Sequence, residues 1–190
     1  ISDKFSSKST LGLNMIHADN PWGIVFVEIT LTFNGKDISF YDGVGYIEGD
    51  EGNTFPDKYI WFNSISTDYG LSLSIADIKL FNKLHLRGSF IVYKDLTHEF
   101  VFSTLNGLKI KVIGKYLIVL KKGKYKFKLY LDNFSPLPLL SPIEGTLVGE
   151  VKESISVNAG FEIYKGREKI ISNYNTFGSI ERVNLWNLLK

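Results

Sequence analysis

The feature that most constrains the fold is an alternation of apolar and polar residues with a period of two. In Lys124–Leu131, the apolar residues Tyr125, Phe127, Leu129 and Leu131 alternate with lysines. Successive side chains of a β-strand point to opposite faces, so this pattern predicts a strand with one buried and one solvated face. Leu108, Ile110 and Val112 alternate with Lys109 and Lys111 in the same way.

Short glycine-containing turns separate these runs at Gly114-Lys115, Lys121-Lys122-Gly123 and Lys165-Gly166-Arg167. They predict tight hairpins, and residues 108–131 should form a consecutive antiparallel meander. Ile155, Val157, Ala159, Phe161 and Ile163 are expected to share another apolar face. Further strands are predicted at 23–33, 36–41, 58–67, 70–79, 85–93, 97–104, 116–121, 145–152 and 168–174.

The chain is therefore predicted to be all-β, an antiparallel meander that closes into a lipocalin-like barrel. Closure removes the open sheet edges that invite aggregation, and the many hairpins favour a barrel over a sandwich. Pro136, Pro138 and Pro142 predict a crossover or a lid at 135–142, because proline cannot donate a ladder hydrogen bond. The tail from Ile180 to Lys190 could form a short helix, and Asp77 either points inward or begins a turn.

Composition narrows the classes of function. The 190 residues, 44% apolar and 22% charged, suit one domain spanning 1–190 with a substantial core. A net charge of +2 gives no case for nucleic acid as a partner. Cysteine is absent and the three histidines are scattered, so no metal site is expected. Without a signal peptide or a transmembrane segment, the expected location is cytoplasmic or peripheral to a membrane.

An acidic, glycine-rich bend precedes an aromatic strand. Glu48, Asp50 and Glu51 lie among Gly45, Gly49 and Gly52. Carboxylates at the mouth of an apolar wall are what acid chemistry on an apolar substrate needs, so Glu48 and Asp50 are the candidate catalytic residues. The plain alternative is a solvated hairpin turn.

The strand after the bend carries aromatic residues on both faces. Tyr59, Trp61 and Asn63 share one face, and Ile60 and Phe62 share the other. Such a strand fits a barrel wall with one face in the lumen. The candidate ligand-binding residues are Tyr46, Phe55, Tyr59, Trp61, Asn63 and, by the same reasoning, Phe62; ordinary core packing is the alternative for each ring.

Three stretches together resemble the tocopherol cyclase family. They are 34–50, then 52–61 with 72–78, and finally 140–155. The resemblance, which extends to the related hydroxyneurosporene synthases, implies paired lipocalin-like barrels, of which this chain would be one half. It also implies that Glu48, Asp50, Phe55, Pro56, Tyr59 and Trp61 occupy the family's signature position. This chain departs from that signature at Glu51, where the family usually carries tryptophan. It is also shorter than a two-barrel protein, so a missing N-terminal part or a reduced version is expected.

The predicted function is binding of a small apolar or prenylated molecule. If the protein is an enzyme, the resemblance implies a reaction without a cofactor, in which Glu48 or Asp50 protonates an isoprenoid and drives its hydration, cyclisation or isomerisation. A binding protein without catalysis is the main alternative. A carbohydrate-binding domain is a third, and it would need Tyr59 and Trp61 on an exposed outer face. The sequence does not specify the oligomeric state.

Overall fold

The computed structural model describes residues 24–34, 36–46, 55–80, 84–132 and 135–184. Within these ranges the chain forms twelve β-strands and one 3-10 turn at Thr104–Asn106. No helix in the described ranges is long and apolar enough to cross a membrane. The strands are β1 (Ile24–Phe33), β2 (Lys36–Tyr46), β3 (Lys58–Ile65), β4 (Tyr69–Leu80), β5 (Leu84–Asp95), β6 (Glu99–Ser103), β7 (Lys109–Ile113), β8 (Leu117–Lys122), β9 (Tyr125–Leu131), β10 (Leu137–Ile143), β11 (Thr146–Lys165) and β12 (Glu168–Val183).

Ten of these strands form one antiparallel sheet, and β1 pairs with β2 in a separate hairpin. The sheet order is β6-β5-β4-β3-β12-β11-β9-β8-β7, and β10 pairs with the first part of β11. The sheet curls so that its edge strand β6 approaches β9, and the ring of Phe100 in β6 lies 5.6 Å from that of Tyr125 in β9. The prediction of an all-β, lipocalin-like architecture is confirmed as a half-barrel. Two further points stay predictions: that this barrel is one half of a pair, and that residues 1–190 form a single domain.

The concave side of the sheet holds the apolar core. Ile60 and Phe62 in β3, Leu73 and Ile75 in β4, and Leu129 in β9 are fully buried there. Each such side chain contributes roughly 1.5–3 kcal/mol by leaving water. Asp77 is also buried, in line with Leu73 and Ile75 along β4, so of its two predicted placements the inward one is correct.

The meander predicted over residues 108–131 is confirmed. β7, β8 and β9 are consecutive antiparallel neighbours, and most of their apolar residues face the core while most of their lysines face outward. The predicted apolar face of β7 is wrong at Val112, which is 37% exposed, because the register of β7 against β8 shifts between Ile110 and Val112. Gly123 has φ +53°, a left-handed conformation that glycine adopts without steric cost in a tight hairpin turn.

The proline-rich segment differs from its prediction. Residues 137–143 form strand β10, paired with β11, and not a crossover or lid. β10 has β11 as its one strand partner in the described chain, so it is an edge strand. Proline is tolerated at such an edge because the missing N–H need not pair there.

The predicted helical tail is wrong as far as Val183, because β12 continues through Ile180 to that residue. Pairing with β3 explains this: Ile180 lies opposite Phe62, and both are fully buried. Residues 185–190 lie outside the described ranges. Tertiary pairing has here overridden the local helical pattern.

The predicted apolar face of β11 is correct from Val157 to Ile163 but wrong at Ile155. The register of β11 against β12 shifts between Ser154 and Val157. This bulge turns Ile155 outward, where it is 76% exposed, and places Ser154 in a buried position.

A substitution at Gly178 tests the close packing of β12 on β3. A Cβ atom at Gly178 would lie 2.6 Å from the Asn63 carbonyl oxygen and from the Phe62 ring. We expect Gly178→Ala to lower the free energy of unfolding by roughly 1–3 kcal/mol, because backbone or core must shift. Urea denaturation measures the change.

Gly88→Ala is the matched control, because a Cβ atom there meets no atom within 4 Å. It should change stability by no more than about 0.5 kcal/mol. Equal destabilisation by the two variants would contradict the packing of β12 on β3.

Candidate functional site

Aromatic rings fill the concave side where β6 approaches β9. Phe102 lies 5.3 Å from Tyr125, and Tyr93 lies 6.1 Å from Phe100, measured between ring centroids. The cavity among these rings has a volume of about 10 Å³, which is room for one water molecule. This part of the interior is packed by side chains.

The opposite, outer face of β3 carries most of the predicted ligand-binding residues. Tyr59, Trp61 and Asn63 alternate with the core residues Ile60 and Phe62, so they point away from the concave side. Tyr59 is 7% and Asn63 6% exposed, and Trp61 is partly buried. Phe55 meets Tyr59 edge to face, with ring centroids 6.0 Å apart. The structure therefore brings Phe55, Tyr59, Trp61 and Asn63 together as one wall.

Two buried polar groups lie at the end of this wall. Asn63 in β3 stands opposite Ser72 in β4, and both residues are 6% exposed. Neither the Asn63 Nδ2 nor the Ser72 Oγ has a hydrogen-bond partner among the described residues. A buried donor or acceptor that makes no hydrogen bond costs roughly 1–3 kcal/mol of stability. Such groups need an explanation, and a bound ligand or water that accepts from Nδ2 would supply one.

A pair of carboxylates lies at the other end. Glu153 in β11 is directly opposite Glu181 in β12, and Glu181 is in turn opposite Trp61 in β3. The Tyr59 hydroxyl donates to the Glu181 Oε2 over 2.6 Å. Like charges directly opposite on neighbouring strands are destabilising, so this pair is an unusual feature of the sheet.

The surroundings of Glu153 and Tyr59 shift the pKa of each side chain. Burial raises the pKa of Glu153, and the neighbouring Glu181 carboxylate raises it further. Burial, together with the hydrogen bond and charge of Glu181, raises the pKa of Tyr59 well above its usual range. Tyr59 therefore stays a hydrogen-bond donor, and Glu153 takes up a proton at a higher pH than an ordinary glutamate does. A carboxyl with a raised pKa beside a second carboxylate is the arrangement found at acid-catalytic sites.

Three other predicted site residues have a different outcome. Glu48 and Asp50 lie outside the described residues, so their roles stay predictions. Tyr46 is the last residue of β2 and pairs with Ile24. Glu153, Glu181 and Ser72 were missed as site residues, although Glu153 stands in the last of the family-like stretches. The pairing of β11 with β12 is what places it beside Glu181.

A second polar cluster surrounds Glu162 on the outer face of β11. The carboxylate is only 7% exposed and lies 3.2 Å from Lys128 Nζ and 3.3 Å from Lys169 Nζ. Hydroxyls of three tyrosines also donate to it: Tyr130, Tyr164 and Tyr174. Burial alone would raise the pKa of Glu162, but hydrogen bonds from the tyrosines and Lys128 outweigh it and hold that pKa well below its usual range. The cluster ties β9, β11 and β12 together.

Comparisons of the chain with protein-family models, with curated proteins and with solved structures gave no match. The resemblance to tocopherol cyclases therefore stays a prediction, and the site has to be interpreted from its own geometry.

The Glu162 cluster makes stability depend on pH. A carboxyl whose folded pKa is depressed stabilises the fold above its unfolded pKa, and this stability is lost as the pH falls below it. Glu162→Gln should lower the free energy of unfolding at pH 7 by roughly 1–3 kcal/mol, because charge-assisted hydrogen bonds are lost. The deficit should shrink as the pH falls below the ordinary glutamate pKa of 4.5.

The control is Glu99→Gln, because Glu99 is half exposed in a 3.7 Å ion pair with Lys94. It should cost no more than about 0.5 kcal/mol at any pH. Denaturation across the pH range measures both variants, and a deficit for Glu162→Gln that does not vary with pH would contradict this account.

Proposed function

We propose that the protein binds a small apolar or prenylated molecule bearing a hydrogen-bonding oxygen, on the outer face of β3. The observation that carries the proposal is the pair of buried, unpartnered polar groups at Asn63 and Ser72, next to an aromatic wall. Small-molecule sites are mostly apolar with a few placed polar groups that fix orientation.

The residues have distinct roles in this proposal. Phe55, Tyr59 and Trp61 supply apolar contact, and the Asn63 Nδ2 donates to the ligand oxygen. The concave interior is the less suitable place, since the cleft among Tyr93, Phe100 and Phe102 admits about one water molecule. Sugar binding is not favoured, because a sugar carries many hydroxyls that each need a hydrogen-bond partner, whereas the wall of Phe55, Tyr59 and Trp61 is mainly aromatic.

The proposed cellular location is based on composition. A chain without cysteine needs no oxidising compartment, which suits a cytoplasmic location as part of the proposal. No resident cofactor is needed for binding of this kind.

Binding is tested by displacement of a fluorescent lipophilic probe. A prenylquinone should displace the probe at micromolar concentration, equivalent to about −8 kcal/mol. Asn63→Ala should weaken binding of the prenylquinone roughly tenfold through the lost hydrogen bond. It should leave binding of a polyene hydrocarbon of equal chain length unchanged, because that molecule offers no acceptor.

Leu105→Ala serves as a control and should leave binding of both molecules unchanged. Leu105 is 98% exposed and lies on the 3-10 turn outside this wall. Equal loss of the quinone and the hydrocarbon in Asn63→Ala, or no displacement by either in the unaltered protein, would refute the proposal.

Acid chemistry is the second candidate function, and the raised pKa of Glu153 favours it. A protonated Glu153 would add its proton to a prenyl double bond, leaving a carbocation and a carboxylate. An oxygen of the substrate or of water would then form a bond to the cation, and its proton would return to a carboxylate. Such a cycle consumes no oxidant and needs no cofactor, in agreement with the predicted class of reaction.

Glu153→Gln separates a reactive carboxyl from a merely strained one. A carboxyl with a raised folded pKa costs stability as the pH rises through its titration. The variant should therefore be more stable than the unaltered protein by roughly 0.2–1 kcal/mol at pH 7, because no charge is then buried at this position and the repulsion from Glu181 is removed. The gain should vanish at a pH below the ordinary glutamate pKa.

The same variant should lose turnover of a prenylated substrate while it still binds a prenylquinone, since the donor is gone but the wall remains. Turnover unchanged in Glu153→Gln would eliminate this carboxyl as the acid. Lower stability at neutral pH would show that Glu153 is a structural partner instead.

A further inference from the structure

The positive charge of this chain is concentrated in one segment. Residues 108–131 contain no aspartate or glutamate but eight lysines: Lys109, Lys111, Lys115, Lys121, Lys122, Lys124, Lys126 and Lys128. The whole chain has a net charge of only +2, so the rest of it is net acidic. A modest total charge therefore conceals a strongly basic region.

The fold arranges these lysines in a row across neighbouring strands. Lys109 of β7 is opposite Lys121 of β8, which is opposite Lys126 of β9. The row continues through Tyr164 of β11 to Lys169 of β12. With strands about 4.8 Å apart, these five positions span about 19 Å of the outer face. We call this surface, with Lys111 and Lys124 beside the row, the basic face.

Little of this charge is neutralised. Among the described residues, Glu162 is the carboxylate that contacts the basic face, and it pairs with Lys128 and Lys169. Lys109, Lys111, Lys121 and Lys124 are exposed, and no described carboxylate lies within ion-pair distance of them. Like charges opposite each other on neighbouring strands are destabilising. An anionic partner would relieve this repulsion.

We propose that the basic face docks on the surface of an anionic lipid bilayer. Exposed apolar side chains accompany it: Val112 of β7, opposite Val119 on the same side of the sheet, is 37% exposed, and Leu105, on the turn that precedes β7, is 98% exposed. A bilayer surface attracts basic residues through its anionic headgroups and also accepts apolar side chains at the headgroup boundary. An anionic bilayer therefore matches both the positive charge and the exposed apolar side chains of the basic face.

A nucleic acid would match the positive charge of the basic face, but its bases would also need open aromatic rings to stack on. Proteins that bind single strands stack bases on open aromatic faces. Here the Lys126 and Lys128 ammoniums lie 4.3 and 5.1 Å from the centroid of the Tyr164 ring, and Lys169 lies 5.2 Å from that of Tyr174. These rings already carry cations, which compete with bases for the ring faces. The bilayer is the partner that the surface favours.

Co-sedimentation with vesicles tests the proposal. The full chain should sediment with vesicles of equimolar phosphatidylcholine and phosphatidylserine, and not with phosphatidylcholine alone. Added salt should release it, because the attraction is screened. Lys109→Gln/Lys121→Gln should lower the partition coefficient on the order of tenfold, and both positions are exposed, so the fold should be retained.

Lys36→Gln/Lys152→Gln is the control with the same loss of charge, at exposed positions in β2 and β11. It should keep the partition coefficient within about twofold. Equal binding to both vesicle types, no binding to either, or equal losses in the two double variants would overturn the proposal. The proposal would also be overturned if a single-stranded oligonucleotide bound the protein more tightly than anionic vesicles do at the same salt concentration and released the protein from them. The basic face would then be a nucleic-acid site.

Discussion

Burial of one face of a single curled sheet is the constraint on which the rest of this structure depends. A flat antiparallel sheet of this size would leave its apolar face in water, whereas the curl brings β6 over β8 and β9 and covers that face. Side chains such as Phe62, Leu73, Leu129 and Ile180 are fully buried as a result. Backbone pairing does not join β6 to β7 among the described strands, so aromatic packing closes the seam.

Filling the concave side has a consequence for function. Where the core rings pack, the interior has little room for a ligand, and the chemically unusual groups lie on the outer face. Asn63, Ser72, Glu153 and Glu181 share the face of the sheet around β3 and β12, while Glu162 and the lysines occupy the face around β8 to β11. The two outer regions differ in chemistry: one is apolar with a pair of facing carboxyls, and the other is cationic. Binding of an apolar molecule and docking on a bilayer are compatible roles for them, but each is supported by its own residues.

The meander was predictable from the sequence because alternation and turn glycines are local signals. The bulge near Ile155 was not, since a period-two pattern assumes an unbroken register. β10 and the end of β12 were also misinterpreted, because an edge position or a partner strand decides those segments, and neither is visible locally. The wall of Phe55, Tyr59, Trp61 and Asn63 could be anticipated as a group from one strand. Its position opposite the core and the meeting of Glu153 with Glu181 depend on pairings between distant segments.

The central claim is that an apolar ligand sits on the outer face of β3 and not among the core rings. Photo-crosslinking with a prenyl chain that carries a benzophenone, followed by peptide mass spectrometry, locates the ligand directly. The account predicts adducts in the peptides that contain Phe55 to Asn63 and Ser72, which competing prenylquinone suppresses. Adducts at Phe100, Phe102 or Phe127 would place the ligand in the interior and contradict the claim, as would labelling that a competitor does not reduce.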